Sequence, residues 1–250
     1  MKKLENKVAV VTGSSKGIGA SIALHLAAEG ASVVVNYATR KEGADKVVNE
    51  IVTKGGKAVA IQGDFSVQAD IDRVFAETKT AFGKLDILVN NAGFFAPSPL
   101  EAITEEHFYY HFNLNVLGLL LSSQKAAEHF GENGGNIINI SSVIAQYPVP
   151  GYSVYAATKA AVIALTRALA KELGPRKIRI NAIAPGLTIT ERAHDMGFVG
   201  SDLYKSMVAQ VPLGRAGAPD DIAKVAVFLA SDDSGWLTGE NLLVSGGANL

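Results

Sequence analysis

The chain has 250 residues, with 23 Lys and Arg against 24 Asp and Glu, for a formal net charge of −1. Apolar residues make up 48% and charged residues 19% of it, which argues against intrinsic disorder, while the near-zero net charge removes the electrostatic footprint of a nucleic-acid or basic membrane-surface binder. The absence of cysteine excludes disulfides, iron–sulfur clusters, cysteine zinc sites and a cysteine nucleophile. Glu5, Asn6 and Lys7 follow Lys2 and Lys3 where a signal peptide would need an apolar run. No apolar run reaches the ~20 residues that span a bilayer. The expectation is a cytoplasmic, globular protein with one domain over residues 1–250.

Short β-branched runs alternate along the chain with longer stretches of helical period. The first run, Val8–Val11, precedes Ile18, Ile22 and Leu26, which share one helix face. Runs follow at 33–35 and 87–89, and between them Ile71, Val74, Phe75, Thr78 and Phe82 form a mostly apolar helical stripe. Runs at 137–140 and 178–183 flank Val162, Leu165, Leu169 and Leu173, spaced in the same way, and the last run is 242–244. Most runs are apolar throughout, as in strands covered on both faces, so the pattern predicts right-handed βαβ units and a parallel sheet between helical layers. Short Gly- and Pro-bearing pieces read as loops within one domain. The rhythm breaks between 188 and 210, which has no clear period and carries His194, Met196, Phe198, Tyr204 and Met207. A long irregular segment of this kind reads as a substrate lid.

Two constellations carry chemistry. Val8–Val11 runs directly into Thr12, Gly13, Ser14, Ser15, Lys16, Gly17, Ile18 and Gly19, with a helical pattern behind. Glycines at a strand-to-helix turn let backbone N–H groups approach a pyrophosphate, which the helix dipole then favours. The spacing is G-x3-G-x-G, and no Gly-Lys-Ser/Thr follows as a P-loop requires. The bland reading of this turn is a tight connection with no ligand. The second constellation is Tyr155 and Lys159, four apart on one helix face, with Ser142 after the run at 137–140. A free phenol titrates near ~10, and a neighbouring ammonium favours its phenolate. Ser142, at a strand's carboxyl end, is placed to donate to a substrate oxygen. A Tyr-x3-Lys pair alone is a common exposed helical pair, and its weight comes from the company it keeps.

With both constellations in hand, the chain resembles the short-chain dehydrogenase/reductase family, in its single-domain branch, over nearly its whole length. The glycine turn matches the family's T-G-x3-G-x-G. Asn90, Asn91, Ala92 and Gly93 match its N-N-A-G, and Asn115 with Gly118 its N-x-x-G. Ser142 precedes Tyr155 by the family's 13 residues, Lys159 completes the group, and Pro185 and Gly186 with Thr190 match the motif after the sixth strand. The resemblance implies a Rossmann-type, doubly wound α/β fold with a seven-stranded parallel sheet and helices on both faces. It implies Tyr155 as general acid or base, Lys159 lowering its pKa and holding the nicotinamide ribose, Ser142 polarising the carbonyl, and Asn115 keeping a water relay. Gly13, Ser15, Lys16, Gly17, Ile18 and Gly19 would line the phosphates and adenosine ribose. Asn36, Tyr37 and Ala38 would flank that ribose, and Asp64 with Phe65 would cap the adenine. Asn91, Ala92 and Gly93 would approach the adenosine side, and Pro185, Gly186, Thr188 and Thr190 would seat the nicotinamide. Thr188 stands where the family often has an aliphatic residue, at a position that acts through its backbone.

The implied activity is an NADP(H)-dependent oxidoreductase interconverting a ketone or aldehyde and its alcohol, with NAD(H) as the second cofactor. No acid stands at Tyr37 to repel a 2′-phosphate, and Lys16, with Arg40 or Lys41, supplies positive charge. A sugar or polyol dehydrogenase and a 3-oxoacyl-carrier-protein reductase remain alternatives, and a catalytically silent nucleotide sensor is a third from another class. His107 and His111 have helical spacing without a third metal ligand, so no metal site is expected. Asp220 and Asp221 after Pro219 read as a helix's first turn. Phe94, Phe95, Tyr147 and Tyr152 border the motif loops. The resemblance also implies a homotetramer through two long helices at about 105–130 and 152–173, the second rich in alanine.

Overall fold

Alternate residues of the central strands feed two separate cores. Val8–Val11 (β1), Ser32–Tyr37 (β2), Lys57–Gln62 (β3), Ile87–Asn90 (β4), Gly135–Ile140 (β5), Ile178–Pro185 (β6) and Asn241–Val244 (β7) form one sheet. Their order is β3-β2-β1-β4-β5-β6-β7, and every pairing is parallel. Ala9, Val11, Val33, Val35, Ile138 and Ile140 point to one face. There they meet Gly17–Ala28 (α1), Lys41–Thr53 (α2) and Pro219–Ala230, a helix near the end of the chain, through Leu26, Val47 and Ile222. Val10, Val34 and Ile137 point to the other face, against Gln68–Phe82 (α3) and two later helices. Burying each such side chain contributes about 1.5–3 kcal/mol, and the period of two divides that contribution between the layers. The computed structural model describes residues 2–195 and 197–248. Met1, Asn249 and Leu250 lie outside the described residues, as does Met196 of the expected lid.

One strand was not among the apolar runs. β3 is an edge strand with Lys57 and Gln62 exposed and only Ile61 buried, so it lacks the continuous apolar character of its neighbours. The helix expected near 105–130 is not uniform. Glu105–Phe112 (α4) and Leu119–His129 (α5) are joined by a π-helical segment, Asn113–Gly118. A Cβ on Gly118 would lie 2.1 Å from the Phe65 carbonyl oxygen, so only glycine lets this segment pack on the loop after β3. Ser153–Leu173 (α6) follows β5 as expected.

The segment at 188–210 is more ordered than its pattern predicts. It contains Glu191–Asp195 (α7) and Asp202–Ala209 (α8). Ser201 caps α8 by accepting from the Tyr204 N–H at 3.1 Å, and the Phe198 and Tyr204 rings meet edge-on at 5.7 Å. These helices, of 5 and 8 residues, are too short to display a period, and α8 buries no residue. The last helix, Pro219–Ala230 (α9), opens as expected for Pro followed by acids, with Asp221 accepting from the Ala218 N–H at 2.8 Å.

β1 lies between β2 and β4, so the chain's winding reverses there. Open parallel sheets bind ligands outside the carboxyl ends of strands at such a reversal. Both the glycine turn after β1 and the Asn91–Gly93 stretch after β4 stand at that end.

Candidate active site

The turn from β1 to α1 depends on backbone that only glycine adopts freely. Gly13 (φ 61°) and Gly17 (φ 59°) are left-handed. A Cβ on Gly13 would lie 2.9 Å from Ala92 Cα, and one on Gly19 2.4 Å from Asn91 Nδ2. The two motif loops are therefore pressed together, and side chains stitch them. Thr12 Oγ1 accepts from the N–H groups of Asn91 and Ala92 at 2.9 and 2.8 Å, and Asn91 Nδ2 donates to the Thr12 and Gly13 carbonyls. α1 starts without a side-chain cap and with no acid in its first turn, which leaves N–H donors and a positive dipole end. A carboxylate from the segment after β6 occupies it: Glu191 Oε2 accepts from the Gly17 N–H at 3.0 Å. The uncapped, glycine-built helix start thus offers N–H donors that can hold an anionic group such as a phosphate.

The remaining cofactor candidates divide into surface and buried groups. Ser15, Lys16, Ile18, Tyr37, Ala38 and Asp64 stay partly or fully exposed around the turn. Asp64 Oδ1 accepts from the Ser66 N–H at 2.8 Å. Asn36 differs from expectation. It is buried, with Oδ1 accepting from the Gly13 N–H at 2.9 Å and Nδ2 donating to the Ile61 and Gly63 carbonyls, so its side chain braces the turn from within. Phe65 likewise sends its ring into the second core. Pro185 is buried at the end of β6, and a Cβ on Gly186 would sit 2.8 Å from Ser245 Cα. Thr188 Oγ1 donates to the Gly186 carbonyl at 3.1 Å. The Thr190 methyl would lie 3.2 Å from a Cβ on Gly17, so the chain after β6 reaches the turn after β1.

Ser142, Tyr155, Lys159 and Asn115 converge beside this cradle. Lys159 is buried, its Nζ donates to the Ile140 carbonyl at 2.8 Å, and it lies 5.7 Å from the Tyr155 ring centroid. Tyr155 hydrogen-bonds Ser142, whose Oγ also accepts from the Ile144 N–H at 3.3 Å. Burial pushes the Tyr155 phenol up to about 12, against the opposing pull of Ser142. Burial also brings Lys159 down to about 8. The expected depression of the phenol by the ammonium is thus not what the chain alone produces. Desolvation wins at both groups, and the phenol is held protonated. Asn115 Oδ1 accepts from the Phe94 N–H at 2.8 Å, while its Nδ2 donates to the Phe94 carbonyl and to Thr158 Oγ1. Gly93 lies between them, since a Cβ there would be 3.4 Å from Asn115 Oδ1 and 3.6 Å from Lys159 Nζ.

Three participants were not legible as such. His111 is fully buried, its Nε2 accepts from the Ala96 N–H at 3.2 Å and its Nδ1 donates to the His107 carbonyl at 2.8 Å. Both ring nitrogens are therefore engaged, the ring is neutral, and its pKa is lowered by burial. Thr158 ties α6 to Asn115. Glu191 has no signal in the chain, because its partner Gly17 is 174 residues away. Among the described residues no group of three or more His, Asp or Glu is placed to hold a metal ion.

Known proteins are similar to this chain over nearly its whole length. Residues 13–249 match a family model described as enoyl-(acyl carrier protein) reductase. An uncharacterized oxidoreductase of Methylorubrum extorquens is 53% identical over 247 residues, covering 99% of each chain. A hydroxynaphthalene reductase-like protein of Metarhizium majus is 42% identical, over 99% of this chain and 96% of its own. A solved dehydrogenase/reductase from Sinorhizobium meliloti superposes with a TM-score of 0.94 at 41% identity, covering 99% of this chain and 97% of that one. A short-chain dehydrogenase from Burkholderia cenocepacia, solved in complex with NADP, does so at 0.93 and 38% identity, covering 99% and 100%. Among the described residues no helix is long and apolar enough to cross a membrane. With the glycine cradle, the Ser142–Tyr155–Lys159 group and these relatives together, the chain is an oxidoreductase that belongs to the short-chain dehydrogenase/reductase family.

Proposed function

We propose that this protein reduces a ketone or aldehyde to the alcohol, or runs the reverse oxidation, with NADP(H). The carrying observation is geometric: the Tyr155 hydroxyl is hydrogen-bonded to Ser142, and the buried Lys159 Nζ lies 5.7 Å from the Tyr155 ring centroid. A bound nicotinamide supplies or accepts the hydride. Ser142 donates to the carbonyl oxygen and polarises it, and Tyr155 delivers the proton that the oxygen gains as the alcohol forms. Lys159, brought down to about 8, is suited to return a proton toward the phenol near neutrality. Asn115 and Thr158 hold the loop after β4 against α6, so that the group keeps its spacing.

Preference for NADP(H) rests on charge at the adenosine end. Lys16 is exposed at the start of α1. A Cβ on Gly43 would lie 2.6 Å from the Ser15 carbonyl oxygen, so the first turn of α2, with Arg40 and Lys41 at its start, leans on the glycine turn. Lys41 is paired with Asp45 at 2.7 Å, which makes Arg40 the second basic group of this reading. The relative solved with NADP supports it. Assembly as a homotetramer is supported by the exposed Ala157, Ala160, Ala164 and Ala168 along α6, and by exposed Phe108 on α4, Leu117 on the π-helical segment and Leu120 on α5.

The function is tested with Tyr155→Phe, assayed by NADPH absorbance with a ketone panel. The substitution lowers kcat at least about a hundredfold, while NADPH binding changes little. Retention of most activity would remove Tyr155 from the reaction.

A further inference from the structure

Part of the surface that meets the non-reacting portion of the substrate is given by the two loops beside Tyr155, and these omit charged side chains. Residues 92–100, after β4, and 141–154, after β5, contain no Asp, Glu, Lys, Arg or His. The loops are joined to each other, with the Ser98 N–H donating to the Gly151 carbonyl at 2.8 Å. The hydroxyl of Ser98 is turned to the Pro99 carbonyl, and Ser98 itself is buried. A charged substrate that shed its water here would find no side chain of opposite charge on these two loops.

Phe95 occupies a backbone that is fixed on both sides. The Phe94 N–H and carbonyl both bond to Asn115, and the Ala96 N–H donates to His111 Nε2. The Phe94 ring packs edge-on against Tyr110 at 4.5 Å and beside His111 at 4.9 Å. The Phe95 ring instead lies 5.9 Å from the Tyr155 ring and stays 40% exposed. On the second loop Tyr147 and Val149 are exposed as well. Two hydrogen-bonded loops thus present apolar surface next to Tyr155, and that surface gains most when an apolar ring covers it.

We infer that the substrate is an uncharged, ring-bearing carbonyl compound whose ring packs on Phe95 while its oxygen meets Tyr155 and Ser142, with Phe95 as the specificity-determining residue. The inference rests on the carbonyl-reductase reading above and narrows it. It sets a ring-bearing ketone, for which 1-tetralone is the probe, ahead of a free sugar and ahead of a 3-oxoacyl thioester carrying phosphates.

The test compares wild type, Phe95→Ala and Phe95→Tyr with NADPH on 1-tetralone, 2-butanone and acetoacetyl-coenzyme A, and with NADP+ on glucose. In wild type, kcat/KM is highest for 1-tetralone. Phe95→Ala lowers that value at least about tenfold, mainly through KM, while 2-butanone changes less than about threefold. Phe95→Tyr keeps the ring and retains the preference. NADPH affinity, read by fluorescence titration, is the same in all three proteins. A wild type that prefers glucose or the thioester overturns the inference and leaves oxidoreductase chemistry standing. So does an unchanged ratio of 1-tetralone to 2-butanone in Phe95→Ala. Failure to turn over any carbonyl compound overturns the broader reading together with it.

Discussion

The Glu191 carboxylate accepts a hydrogen bond from the Gly17 N–H at 3.0 Å, and so places a negative charge from α7 on the dipole end of α1. The same backbone donor belongs to the cradle proposed for the dinucleotide phosphates, so both anions compete for it. A carboxylate on an exposed helix start contributes about 0.3–1 kcal/mol. Removing its charge in Glu191→Gln therefore tightens NADP+ binding about two- to fivefold, with the gain fading as salt is added. Titration by intrinsic fluorescence at low and high ionic strength reads this. Weaker binding in Glu191→Gln would mean that the carboxylate serves the cofactor instead of standing in its place.

Lys159 sets stability against activity. Burial lowers it from 10.5 to about 8, and holding it protonated at pH 7 costs about 3 kcal/mol. The unfolded chain binds the proton more tightly, so stability rises as pH climbs from about 8 towards 10.5 and is flat below that window. Lys159→Met removes this cost but also the 2.8 Å bond to the Ile140 carbonyl. The net expectation at pH 7 is a variant about 1–2 kcal/mol more stable and almost inactive, its advantage shrinking by pH 10. Urea denaturation at the two pH values decides it; a variant less stable than wild type at pH 7 contradicts the balance drawn here.

The cofactor preference is checked at Lys16. The expected outcome is a higher wild-type kcat/KM with NADPH than with NADH, and a Lys16→Ala variant with the NADPH value lowered about tenfold and the NADH value nearly untouched. A wild type that works better with NADH, or a variant that weakens both equally, rules out the 2′-phosphate contact.

Assembly is checked by light scattering. The expected wild-type mass at micromolar concentration is that of four chains. Ala164→Glu, which puts a charge on the exposed alanine stripe of α6, shifts the population to smaller species without unfolding them. A monomeric wild type refutes the proposal.

What the amino-acid sequence determined by itself was everything carried by near neighbours. The central strands were legible because Val8–Val11 is apolar at every position and the runs at 137–140 and 178–183 are mostly apolar, interrupted only by Asn139, Arg179 and Asn181, as strands covered on two faces tend to be. The glycine turn was legible because its left-handed residues follow a strand directly, and Tyr155 with Lys159 because four residues make one helical turn. What only the tertiary structure decided was set by groups distant in the chain. β3 became a strand by pairing with β2 at an edge, where its own side chains are half wet. Asn36 became an internal brace because Gly13, Ile61 and Gly63 surround it, and Glu191 met Gly17 across 174 residues. The protonation of Tyr155 and Lys159 was decided in the same way: spacing brings the two groups together, but the burial supplied by the whole fold determines which form of each is cheaper to keep.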